Sequence, residues 1–336
     1  MHKLALIAAL VFPLSSAAQD HTPTLIDVTE NHILPRFTTL AEATEVLNAT
    51  AQEDCASESQ DLRAAYSTAF DAWISASHLR FGPTETDDRA FAMAFWPDTK
   101  GFTPKALSKH IALEDSAVAS PDAYAETSIA GRGFFALERM LYDPEFAQQG
   151  SAAYRCALIQ AISADIDANA DAMAADWQTY APELTQPRAD GPYRTQDEAL
   201  QELFKALSTG MQFTSETRLG RPLGTFDRPR PKRAEAHRSE RSLRHVELSL
   251  VSTRDLAARL SAEHPEITAD LETAFNRAIE SARSIDDPAL AGVADPQGRF
   301  RIEALQQSIN DIRQIAATEL GPTLGISAGF NSLDGD

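Results

Sequence analysis

The sequence predicts an all-α protein built as two helical, four-helix-bundle-like domains in tandem. Three observations point there. Apolar residues recur three and four positions apart through most of the chain, which is the helical period. No stretch alternates with period two over strand length, so sheet content should be low. The composition, 43% hydrophobic and rich in Ala, Leu, Glu and Asp with modest Gly, suits helix. At 336 residues the chain has room for two modest cores.

The chain opens with a short basic stretch, Met1-His2-Lys3, then the apolar run Leu4–Leu14 and the small residues Ser16-Ala17-Ala18. Residues 1–18 read as a signal peptide cleaved near Ala18-Gln19, and the run is too short to span a bilayer. No Cys stands at the cleavage point, and no later stretch approaches transmembrane length. The expected location is periplasmic or secreted. In that oxidising setting Cys55 and Cys156 are expected to pair. The alternative is two buried free thiols behaving as small apolar side chains.

Residues 19–190 form the first predicted bundle. Leu25–Ala51 carries Ile26, Ile33, Leu40 and Leu47 on one side, with Pro35 expected to kink or break it. Ala56–His78 buries Leu62, Tyr66, Phe70 and Trp73 and ends at Leu79-Arg80-Phe81-Gly82-Pro83. Short helices are expected at Phe91–Phe95 and Pro104–Asp115, then one ending at Tyr142. Ser151–Tyr180 carries a continuous stripe from Ile159 to Tyr180. Pro182–Thr195, with three prolines and a glycine, is the expected linker. Residues 191–336 form the second bundle. Its helices are placed at Gln196–Arg218, from the end of the Leu219–Lys232 loop to about Ala262, at Pro265–Ser284, and at Arg301–Leu320.

The formal charge of −19 and pI near 4.8 argue against nucleic acid as a partner. Against that background Arg218–Arg244 holds nine Lys or Arg and three Asp or Glu. It is either a solvated segment pairing with acidic surface or a set of cations holding a carboxylate, phosphate or sugar acid.

Gly131–Asp143 is the most unusual stretch. Phe134, Leu137 and Leu141 share a helical face, and Phe135 and Glu138 lie one turn apart beside it. Gly131 and Gly133 belong at the helix start, where they let another backbone or a ligand come close. Glu138 either reaches solvent and pairs with Arg132 or Arg139, or is walled into a crevice. His78 is either a cap at a helix C-terminus or a crevice residue facing Glu138. His110 with Glu114, and His237 with Glu240 at helix spacing, read as solvated faces.

These stretches together resemble the imelysin family. Gly133 and Glu138 align with its Gly-x-His-x-x-Glu motif, with Phe135 at the His position. Ala72-Trp73, His78–Pro83, Phe95–Asp98, Gly220–Gly224, Arg238–Arg244 and the tail Gly329–Asp336 agree with it. The resemblance implies two bundles related by duplication, a functional crevice between them, and a link to iron acquisition or regulation. For such a role Glu138, His78 and Asp98, oxygen and imidazole donors suited to iron, are the candidate metal set, with Arg80, Arg132, Arg238, Ser239 and Arg241 as candidate ligand-binding residues. Iron or another divalent metal, or a small anionic ligand, is the expected partner, with a further periplasmic or membrane protein left open. The alternative is a binding module for an anionic glycan or protein through the 218–244 segment. The family carries a peptidase label. Phe135 removes one nitrogen ligand and no His-Glu-x-x-His occurs, so a non-enzymatic role is expected.

Overall fold

The computed structural model describes residues 20–326. The leader and the Gly329–Asp336 tail lie outside the described residues. Helices α1 (Thr22–Val28), α2 (Leu34–Glu53), α3 (Gln60–Ala76) and α4 (Phe102–Leu113) are followed by α5 (Gly133–Tyr142) and the long α6 (Ala152–Thr185). Then come α7 (Gln196–Gln212), α8 (Ser242–Leu260), α9 (Pro265–Ser284) and α10 (Pro296–Ile315). Short helical turns fill the connections. Among the described residues the sole β pairing is an isolated bridge between Thr225 and Arg228.

The predicted stripes are the buried ones. Leu40 and Leu47 of α2, Leu62, Tyr66 and Phe70 of α3, and Ile302, Leu305, Ile309 and Ile312 of α10 are all fully buried or nearly so. Ile26 is an exception: it is exposed, and its neighbour Leu25 enters the core. Caps agree with the sequence. Ser59 accepts the Leu62 N–H, Thr195 accepts that of Glu198, and Asp295 accepts those of Gln297 and Gly298.

α2 packs along α3 and α6, and α5 lies on α6, α4 and α3. α8 packs on α9 and α7, and α10 packs on the same two helices. α3 against α8, with α1 also on α8, joins the two sets. A single continuous apolar cluster runs through them.

Four local expectations are corrected. Pro35 breaks nothing: a π-turn at Thr29–Ile33 precedes it, and the chain runs from α1 into α2 through that wider turn. Pro182 belongs to α6, which continues to Thr185, so the irregular connection starts later than expected. The helix after the basic loop starts only at Ser242. Residues 234–241 are irregular, with Ala236 and Glu240 at positive φ, so His237 and Glu240 have no helical spacing. His110 is buried, its Nδ1 3.4 Å from Asp115, and Glu114 is the left-handed cap of α4.

Candidate functional site

The site grows from the entrance to α5. Gly133 has φ +73°, and a Cβ there would overlap the carbonyl oxygens of Ala92 and Met93. Only glycine allows this approach, and it brings the loop carrying Phe95, Trp96 and Asp98 beside the helix. Gly133→Ala should therefore destabilise the fold by about 2–4 kcal/mol, from left-handed strain plus a backbone clash. Urea midpoints of the two proteins measure this.

One and a half turns on, Glu138 is buried and accepts hydrogen bonds from Ser239 N–H (3.0 Å) and Oγ–H (2.8 Å), both at Oε1. Ser239 reaches it because residues 234–241 are not helical. The loop is held by Arg241 N–H to Ala236 O and by Ser242 Oγ–H to Glu235 O. Burial pushes the Glu138 carboxyl up, opposed by the Ser239 bonds and by Arg238 and Arg139.

Glu138 lines a cavity of about 130 Å³ whose charged walls are mainly cationic: Arg139, Arg221, Lys232, Arg233 and Arg238, with Asp98 as the other acid. Arg139 and Arg238 both bond Asp143 Oδ2, at 2.9 and 2.8 Å, so one carboxylate steers two guanidinium groups. Arg221 has no acidic partner among the described residues. It lies 5.6 Å from the Trp96 ring centroid, and its buried Nε makes no hydrogen bond. Burial, then the neighbouring Arg233, hold its pKa below the usual arginine range. Asp98 accepts N–H bonds from Phe102 and Thr103 and so caps α4. Burial raises its pKa, but those bonds outweigh it and leave the carboxyl below its ordinary value.

His78 lies elsewhere. It lines a larger cavity, of about 480 Å³, that shares Phe135 and Trp96 with the smaller one. Its Nε2 is 2.8 Å from His32 Nε2, and His32 Nδ1 is 2.7 Å from Asp255 Oδ2. Arg36 and Arg259 also pair with Asp255. Arg80 pairs with Glu85 at the rim of the larger cavity. Arg132 forks onto Asp165, fastening the α5 entrance to α6, and Arg241 bonds Asp71 and the Ser67 carbonyl on α3. Neither of these two arginines lines either cavity. Of the residues singled out in the sequence, the structure thus brings Glu138, Ser239, Asp98 and Arg238 together, and sets His78 and Arg80 in the second cavity. Phe135 lies in the wall between them.

The donors do not fit a bare metal ion. Among the described residues no group of three or more His, Cys, Asp or Glu side chains is placed to hold one. The carboxylate of Asp98 is engaged as a cap, that of Glu138 by Ser239, and five cations line the cavity beside them.

The His32–Asp255 pair went unread in the sequence because the partners are 223 positions apart. Burial holds the His32 pKa down to about 4, with the Asp255 hydrogen bond opposing. The unfolded chain protonates this ring near pH 6.5 and the folded chain only near 4, so stability rises with pH between those values and is lost on acidification. This group contributes up to about 3 kcal/mol. Urea unfolding at the two ends of that window, in wild type and His32→Asn, should show the steeper slope in wild type.

Fold and site together define an all-α protein with a buried glutamate in a cation-lined cavity beside a glycine-entered helix. The imelysin family model matches residues 33–316, and the chain belongs to the imelysin family. It is 22% identical over 303 residues to iron-regulated protein A of Synechococcus elongatus, covering 82% of this chain and 79% of that one. An imelysin-like protein from Psychrobacter arcticum superposes with a TM-score of 0.77 at 20% identity, covering 92% and 97% of the two chains. A putative iron-regulated protein A precursor from Parabacteroides distasonis gives 0.73 at 14% identity, covering 90% and 96%. Among the described residues no helix is long and apolar enough to cross a membrane.

Proposed function

We propose that this chain is an exported binding protein, with an iron-linked role, that takes its ligand as a small polycarboxylate or as the anionic iron chelate of one. The observation that carries this is Arg221, half-buried, with its buried Nε unbonded and no acidic partner among the described residues, in a cavity it shares with Lys232, Arg233 and Arg238. Such a wall attracts a delocalised anion and repels a naked cation. Burial raises the Glu138 pKa, which weakens the tendency of that carboxyl to set a negative charge beside the anion. The names of the relatives, iron-regulated protein A and its precursor, support the link to iron and to export. A binding role in place of proteolysis is supported by Phe135, which occupies the motif's imidazole position with a ring that ligates nothing. The glycan reading has less support: Arg218, Arg238, Arg241 and Arg244 are all engaged by acids of this chain.

Calorimetric titration with citrate, ferric citrate and free iron tests the proposal. Citrate or its iron complex should bind in preference to the free ion, and Arg221→Ala should weaken it about tenfold or more, the loss of one charged hydrogen bond. Binding of the free ion alone, or indifference to Arg221→Ala, overturns it.

A further inference from the structure

The loop that carries Ser239 to Glu138 also sets a histidine in the wall of the smaller cavity. His237 follows Ala236, which has positive φ, and the ring lines that cavity half-buried. Its Nδ1 is 3.1 Å from the Ala234 carbonyl oxygen. A carbonyl only accepts, so Nδ1 carries the proton of the neutral imidazole and Nε2 holds the lone pair. Nε2 makes no hydrogen bond among the described residues, and it is not one of the side-chain nitrogens sealed from solvent.

The charged groups around this ring come from several elements. Arg238 and the exposed Glu240 share its loop, and Glu138, Arg139 and Asp143 belong to α5 and its end. Asp98 comes from the cap of α4, and Arg221, Lys232 and Arg233 from the segment before the loop. Burial first, then Arg238, hold the His237 pKa below the usual imidazole value, Arg139 adding to this while the Ala234 bond and Asp143 oppose it. Near neutral pH the ring is therefore uncharged. A polycarboxylate among these cations cancels part of their field, and that cancellation favours the protonated ring.

We propose that His237 couples ligand binding in this cavity to proton uptake: as a polycarboxylate enters, Nε2 takes one proton from solvent, and binding tightens as pH falls. Imidazole becomes imidazolium, Nδ1–H stays on the Ala234 carbonyl, and the cavity wall gains one positive charge. The assignment rests on the proposal that the cavity holds an anion. It adds to that proposal a direction of release, with the ligand held at lower pH and let go at higher pH.

Calorimetric titration of the full chain with citrate, in buffers of different ionisation enthalpy, tests it. The last ionisation of citrate is common to all variants, so differences between them read the protein. From about pH 8 to about pH 5.5 the affinity of wild type should rise about tenfold more than that of His237→Gln. Wild type should also take up more protons per citrate bound. His237→Lys, charged throughout this range, should bind tightly at both ends and lack the extra pH dependence. Glu138 is the other wall group whose pKa is raised, so the comparison is repeated on a Glu138→Gln background, where the His237 difference should persist. NMR titration of the His237 ring in wild type needs no variant to fold, and its pKa should rise when citrate is added. Citrate binding with equal pH dependence in wild type and His237→Gln, or a ring pKa unmoved by bound citrate, overturns this inference alone. Absence of citrate binding at every pH overturns the anion-site reading and this inference with it.

Discussion

Replacing Cys55 and Cys156 together by serine should lower the folding free energy by about 4–5 kcal/mol, the largest effect expected of any change to this chain. The two residues are bridged, with Cα atoms 5.1 Å apart and a sequence separation of 101, and no cysteine is left free among the described residues. The alternative of two buried thiols is thereby excluded. Cys55 follows the end of α2, and Cys156 lies in the second turn of α6. The bridge thus closes the loop that carries α3, α4 and α5, with Glu138 inside it. A tie across so long a loop removes much of the freedom of the unfolded chain while asking little of two helices that already pack together. Urea unfolding of the oxidised protein, the reduced protein and the double serine variant measures the loss. A difference under about 1 kcal/mol between oxidised and reduced forms would contradict the chain-entropy account.

Arg218→Met should destabilise by about 3–5 kcal/mol. Arg218 Nε meets Glu235 Oε2 at 2.7 Å with each side chain 5% exposed, and His245 Nδ1 lies 3.1 Å from the same oxygen. Burial raises the Glu235 pKa, yet Arg218 and His245 overcome it and hold the carboxyl at about 2. Its contribution is therefore complete above the unfolded value of 4.5 and is lost as pH falls toward 2. Removing the guanidinium leaves a buried carboxylate facing only a neutral imidazole. Pairing the change with Glu235→Leu should recover most of the loss, since an apolar pair of similar volume avoids desolvating two charges. If the double variant is no more stable than the single one, the isolated carboxylate is not the cause.

Much of the fold was legible because it rests on local periodicity. The faces of α3, α6, α8 and α10 could be read from residues three and four apart. The glycine entry of α5 could be read because glycine is costly inside a helix and Gly133 sits where the helix begins. What could not be read depends on partners distant in sequence. Asp255 meets His32, and Asp71 receives Arg241 and Arg244, across more than a hundred positions. The part of the basic stretch beyond the Leu219–Lys232 loop looked helical from its start because Arg238, Arg241 and Arg244 are good helix formers. Tertiary bonds override that preference and unwind residues 234–241 so that Ser239 can reach Glu138. Local spacing put Glu138 beside Phe135, but it could not reveal that Phe135 and Trp96 divide two chambers, nor that His78 belongs to the farther one.

That shared partition, two stacked rings with centroids 6.2 Å apart, has a thermodynamic consequence. A guest that tilts the Phe135 ring on one side resizes the room on the other, so occupancy of either chamber should alter affinity in its neighbour by a reciprocal factor. Trimming the ring to alanine would make one vestibule of both and abolish that conversation.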